Sequence, residues 1–173
     1  WSSSVPYRTR PAEPRARGEK GTVASGPRIL VVEARFYEDI ADQLAKGAVD
    51  AIKQAGAGYK RVFVPGISEI PAVIRYAIRA MELRAIDYRF AGYVVLGCAI
   101  RGASDHYDYI CSSTFSTLQT LTVDYSLALG NGILTVHDRD QAWERAAVDE
   151  KNLGGNAARA CMRMIQAKRE LGL

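Results

Sequence analysis

The sequence predicts an α/β fold, a parallel sheet covered by helices on both faces. Four short apolar runs, 29–32, 62–64, 93–96 and 133–136, have the continuous hydrophobicity of strands buried on both sides. Segments with apolar residues at helical spacing alternate with these runs, joined by short connections. With 173 residues, 48% hydrophobic and 24% charged, the chain carries enough apolar material for one ordinary domain.

Residues 1–27 hold four of the six prolines, three consecutive serines and no apolar periodicity. Burying them does not offset the entropy of ordering, so a mobile tail or an arm docked on a partner is expected, with the folded domain spanning 28–173. The run from Ile29 to Val32 forms the first strand. Ile40, Leu44, Ala48, Ala51 and Ile52 then mark a helix closed by Gly56 and Gly58. Val62 to Val64 forms a second strand, halted by Pro65 and Gly66. Ile70, Val73, Ile74, Ala77, Ile78 and Met81 give the second helix its apolar face. Tyr93 to Leu96 is a third strand, expected to end at Gly97. A polar segment of short side chains, 101–108, leads to a third helix expected around Thr114 to Leu129. Gly130 and Gly132 are expected to bracket a turn before the strand from Ile133 to Val136. Asp138 is placed to cap a short helix carrying Trp143 and Arg145. Gly154 and Gly155 are expected to precede a last helix with Ala158, Cys161, Met162 and Ile165 inward.

The formal charge of +4 sits mostly outside the predicted domain. Residues 1–27 hold Arg8, Arg10, Arg15, Arg17 and Lys20 against Glu13 and Glu19, and the rest of the chain is nearly neutral. A basic stripe interleaved with aromatics is missing, so nucleic acid is not an expected partner. No run approaches the roughly 18–20 apolar residues of a membrane span, and the start lacks a signal peptide's apolar centre; a soluble, cytoplasmic protein is expected. Cys98, Cys111 and Cys161 show no C-x-x-C spacing and are read as reduced thiols. Phosphate-loop, nucleophile-elbow and H-E-x-x-H patterns are absent from the sequence, and His106 and His137 are the only histidines. The expected chemistry uses no cofactor and no metal.

Ligands of open parallel sheets sit outside the carboxyl ends of the strands. That rule selects 33–37, 65–71, 97–108 and 137–140. His106 follows the third strand among small residues that let backbone N–H groups approach an anion, and its imidazole can move protons near neutral pH; the alternative role is a helix cap. Glu69 either supports a helix start or accepts hydrogen bonds from a polyol. Phe36 either packs in the core or stacks on a planar heterocycle. Arg145 is either a solvated helix residue or a phosphate clamp. Cys98, ending a buried strand, is read as a small apolar residue and His137 as a surface one.

Ala34-Arg35-Phe36, Pro65-Gly66-x-x-Glu69-Ile70-Pro71, Ile100-Arg101-Gly102-x-x-x-His106-Tyr107-Asp108, and Gly132-Ile133-Leu134-Thr135 with Gln141-Ala142 and Glu144-Arg145-Ala146 occur in that order. This ordered set resembles the lumazine synthases across residues 28–173. The resemblance implies a flavodoxin-like three-layer sandwich with a four-stranded parallel sheet, an N-terminal arm adding to a neighbouring subunit, and active sites between subunits. It implies a transferase of riboflavin biosynthesis. Such enzymes condense 5-amino-6-(D-ribitylamino)uracil, a ribitylaminopyrimidinedione, with 3,4-dihydroxy-2-butanone 4-phosphate to 6,7-dimethyl-8-ribityllumazine, releasing phosphate and water.

Carried over by position, Phe36 stacks on the pyrimidine, Ile67, Ser68 and Glu69 hold the ribityl chain, and Ala99 and Ile100 offer backbone contacts to the ring. Ala103 and Ser104 present N–H groups to the butanone phosphate, assisted by Arg145, while His106 shuttles protons. Asn131 stands where many members contribute an aromatic residue from the neighbouring subunit. Leu153 stands where a lysine is frequent, and Ser112-Ser113 replace a usual Asn-Glu pair. Shell-forming members commonly carry a Gly-Thr-Lys-x-Gly-Asn-like turn where this chain has residues 147–152, so a homopentamer or a decamer of two pentamers is expected. The rival is a low-activity paralogue that binds lumazine or riboflavin or serves as an assembly protein. A flavodoxin-like signalling domain is disfavoured because the strand ends lack clustered aspartates.

Overall fold

The computed structural model describes residues 26–102 and 105–173. Four strands, β1 (Arg28–Ala34), β2 (Gly58–Val64), β3 (Gly92–Ile100) and β4 (Leu129–Val136), form a parallel sheet in the order β2-β1-β3-β4. Along β1, alternate side chains enter opposite cores. Ile29 and Val31 join α1 (Glu38–Gln54), α4 (Arg139–Ala146) and α5 (Leu153–Glu170) on one face. Leu30, Val32 and Ala34 join α2 (Ile70–Glu82) and α3 (His106–Asp124) on the other. Burial on both faces explains the unbroken apolar run in β1. The result is the flavodoxin-like three-layer sandwich, with a 3-10 turn at Ile67–Glu69 leading into α2. Among the described residues no helix is long and apolar enough to cross a membrane.

The helices follow their sequence signals. Ile40, Leu44, Ala48 and Ile52 form the buried stripe of α1, whose first turn is acidic and whose last turn holds Lys53, both favourable to the helix dipole. Pro71 lies in the first turn of α2, where its missing N–H costs no helical hydrogen bond. Asp138 caps α4 as expected, its Oδ1 accepting the Gln141 N–H at 2.8 Å. Asn152 does the same for α5, accepting the Gly155 N–H at 3.0 Å.

Several expected boundaries move. β3 does not stop at Gly97 but continues to Ile100, paired with β4 as far as Val136. α3 begins at His106 and ends at Asp124, earlier at both ends than the expected span of Thr114 to Leu129. Its buried stripe is only Cys111, Thr114 and Leu118, too sparse to mark a helix start in sequence. Gly130 and Gly132 lie inside β4 and bracket no turn. Their role is close packing: a Cβ on Gly130 would overlap the Ala157 carbonyl oxygen of α5, and one on Gly132 would meet a Leu96 methyl at 2.8 Å. Gly154 and Gly155 are within the first turn of α5, where a Cβ on Gly154 would overlap the Leu44 backbone of α1. The expected N-terminal arm lies outside the described residues, save Gly26 and Pro27; the Pro27 carbonyl accepts the Gly58 N–H at 3.0 Å.

Candidate active site

Strand order reverses between β1 and β3: the chain leaves β1 for β2 on one side and β3 for β4 on the other. Their diverging connections open a crevice at the carboxyl ends of the central strands. A cavity of about 280 Å³ occupies that position. Phe36 and Tyr37 line it from the end of β1, Gly66, Ile67 and Ser68 from the turn after β2, and Cys98, Ala99, Ile100 and Gly102 from the end of β3. His106, Tyr107 and Ile110 line it from α3.

Phe36 is not a core residue. Its side chain is 73% exposed, and its ring meets Tyr37 edge-on with centroids 5.0 Å apart. An exposed aromatic on a cavity wall costs solvation that stacking on a flat ligand recovers. Glu69 does the structural half of its expected work: one carboxylate oxygen accepts the Gly66 N–H at 2.9 Å, closing the turn that presents Ile67 and Ser68. His106 is the first residue of α3 and exposed, while Asp105 holds the cap position. Arg101 donates to Asp108 at 2.5 Å and lies 4.9 Å from the centre of the Tyr107 ring, tying together the two ends of the 101–108 segment. The expected phosphate donors Ala103 and Ser104 lie outside the described residues.

Three expected site residues are not on this wall: Glu69, which turns back to its own backbone, Arg145 and Asn131. Arg145 lies half-buried on α4, its Nη1 donating to the Gln141 carbonyl at 3.3 Å. Asn131 is exposed on edge strand β4, its Oδ1 accepting the Ile133 N–H at 2.9 Å. Cys98 borders the cavity, but burial pushes its thiol up to about 12, so it stays protonated at neutral pH and fits the apolar reading. His137 is exposed, as expected.

Tyr37, Tyr107 and Ile110 were not singled out by sequence as site residues. Helical periodicity places Tyr107 and Ile110 on one face, a signal usable only once α3 starts at His106. A further feature is Glu33, fully buried in β1. Arg61 grips it with two hydrogen bonds, 2.5 and 2.9 Å, and Arg35 adds one at 3.2 Å. Arg35 also donates to Asp42 at 2.5 Å, and that bond, more than its contact with Glu33, raises the guanidinium pKa above its ordinary value.

The family model for 6,7-dimethyl-8-ribityllumazine synthase matches residues 26–169. The chain belongs to this family. It is 48% identical over 146 residues to the 6,7-dimethyl-8-ribityllumazine synthase of Paramagnetospirillum magneticum, an alignment covering 84% of this chain and 97% of that protein. The enzyme of the same name from Bartonella tribocorum is 50% identical over 146 residues, covering 84% and 93%. That from Afipia carboxidovorans is 46% identical over 157 residues, covering 91% and 95%. The lumazine synthase match thus takes in all four strands and the whole wall of the cavity.

Proposed function

We propose that the chain condenses 5-amino-6-(D-ribitylamino)uracil with 3,4-dihydroxy-2-butanone 4-phosphate to give 6,7-dimethyl-8-ribityllumazine, phosphate and water. The observation that carries this is the cavity at the strand-order reversal, which brings Phe36 and His106 together with the Ile67–Ser68 and Ala99–Ile100 segments. Phe36 stacks on the pyrimidine, and the ends of β2 and β3 hold the ribityl chain and the ring edges. The exocyclic amine attacks the ketone, water leaves to form the imine, phosphate is eliminated, and ring closure expels a second water. Each step needs a proton moved, which is the task of His106. Holding both reactants together supplies much of the rest, up to about 7–11 kcal/mol in ideal cases.

Arg145 and Asn131 are absent from the wall within one protomer, and they complete the site from an adjacent copy in a homopentamer. Arg145 then joins Ala103 and Ser104 at the phosphate. A guanidinium on the same phosphate as backbone N–H groups is favourable because charge-assisted hydrogen bonds are the stronger kind.

The test is to mix the purified protein with both substrates and follow lumazine absorbance against the spontaneous background, alongside Phe36→Ala and His106→Ala. Turnover well above background that both substitutions reduce is the expected result. Background-level formation combined with tight riboflavin binding selects the binding-protein alternative.

A further inference from the structure

We infer that Arg35, held between the carboxylates of Glu33 and Asp42, is a positioning residue that sets the plane of Phe36. This rests on Phe36 being the plate on which the pyrimidine stacks. Phe36 is largely solvent-exposed, and the edge-on contact with Tyr37 touches one side of its ring, so packing orients it only in part. The backbone on either side of Phe36 sets where that side chain starts and which way it leaves the chain. After it, the Tyr37 carbonyl accepts the Ala41 N–H at 2.9 Å and anchors the turn to α1. Before it, Arg35 is pinned by both main chain and side chain. Its N–H donates to the Val64 carbonyl at 3.0 Å, extending the β1–β2 ladder. Its guanidinium bridges Glu33 in β1 and Asp42 in α1 and lies 5.4 Å from the Phe63 ring centre.

The arrangement has a chemical logic beyond cohesion. A buried carboxylate is costly to desolvate and is a poor source of net stability, so the role inferred for Glu33 is geometric. Here it fixes a planar fork at the position just before the stacking residue, and a guanidinium holds direction better than an ammonium does. Arg61 provides an internal control. It makes more hydrogen bonds to Glu33 than Arg35 does, yet it lies on β2 with no chain connection to Phe36.

Steady-state kinetics with both substrates, together with calorimetric melting, separate positioning from general stability. Arg35→Ala is expected to raise the KM for the pyrimidine about five- to tenfold, the scale of one stacking contact, while kcat and the butanone phosphate KM stay within about twofold. Arg35→Lys is expected to recover part of the loss, and Arg61→Ala to lower the melting temperature without the KM shift. Should Arg35→Ala fail to fold, Arg35→Lys decides on the same readout. A pyrimidine KM raised by Phe36→Ala but unmoved by the Arg35 variants overturns the positioning role and leaves the site intact. An equal rise in Arg61→Ala also overturns it, by showing general loosening. A KM unmoved even by Phe36→Ala overturns the stacking role and the inference with it.

Discussion

Phe36 and His106 line one cavity although they leave different strands, Phe36 just after β1 and His106 at the start of α3 beyond β3. The pairing of β1 with β3, Val32 opposite Val95 and Glu33 opposite Leu96, brings those two chain exits side by side. The exposed ring and the exposed imidazole therefore belong to one site by sheet topology.

Removing the imidazole should slow proton transfer while leaving the cavity shape intact. His106→Ala is expected to lower kcat by about 100- to 10,000-fold with little change in riboflavin affinity. Single-turnover lumazine formation and a riboflavin titration check both halves. An unchanged kcat would remove His106 from the chemistry.

β4 and α5 pack so closely that a methyl group on Gly130 would overlap the Ala157 carbonyl. Gly130→Ala is expected to destabilise the fold by about 1–3 kcal/mol, the usual cost of overpacking. Urea unfolding measures it. A midpoint equal to that of the unsubstituted chain would show that α5 can shift away freely.

Alkaline pH should loosen the fold through buried thiols and a buried phenol, well below the range in which arginines lose charge. Burial pushes Tyr93 from 10.0, and Cys98 and Cys161 from 9.0, up to about 12. Between those limits the folded chain holds protons that the unfolded chain has released, so raising the pH favours unfolding. Stability is expected to be level from about pH 7 to about pH 9 and to fall steadily towards pH 12. Cys161→Ala should flatten that decline. Urea midpoints measured across this range, with identical slopes for both proteins, would contradict the assignment.

The layered α/β fold was legible because β1 and β3 are buried on both faces, and their apolar runs cannot be read as surface strands. The glycines of β4 were not, since Gly130 and Gly132 give the same local signal whether they serve a turn or make room for a distant helix. Only the Ala157 contact tells the two apart. The site followed the same division. Phe36, Ile67, Ser68, Ala99, Ile100 and His106 fell where the strand-end rule puts ligands, and the structure gathers them on one wall. Ile110 escaped because the sparse stripe of α3 hid the start of that helix. Glu33 escaped because its partner Arg61 lies far away in sequence and is brought near only by the β1–β2 register.

The central proposal is a cavity that one protomer begins and its neighbour completes, with His106 supplied by the first and Arg145 by the second. Co-assembly of His106→Ala chains with Arg145→Ala chains tests it most directly. Each variant alone lacks one group at every site, whereas mixed rings place an intact His106 beside an intact Arg145 at about a quarter of the sites in an equal mixture. The expected result is lumazine formation recovering to about a quarter of the unsubstituted rate. Activity no higher than the mean of the two separate variants, in rings shown by mass spectrometry to be mixed, would contradict a shared site.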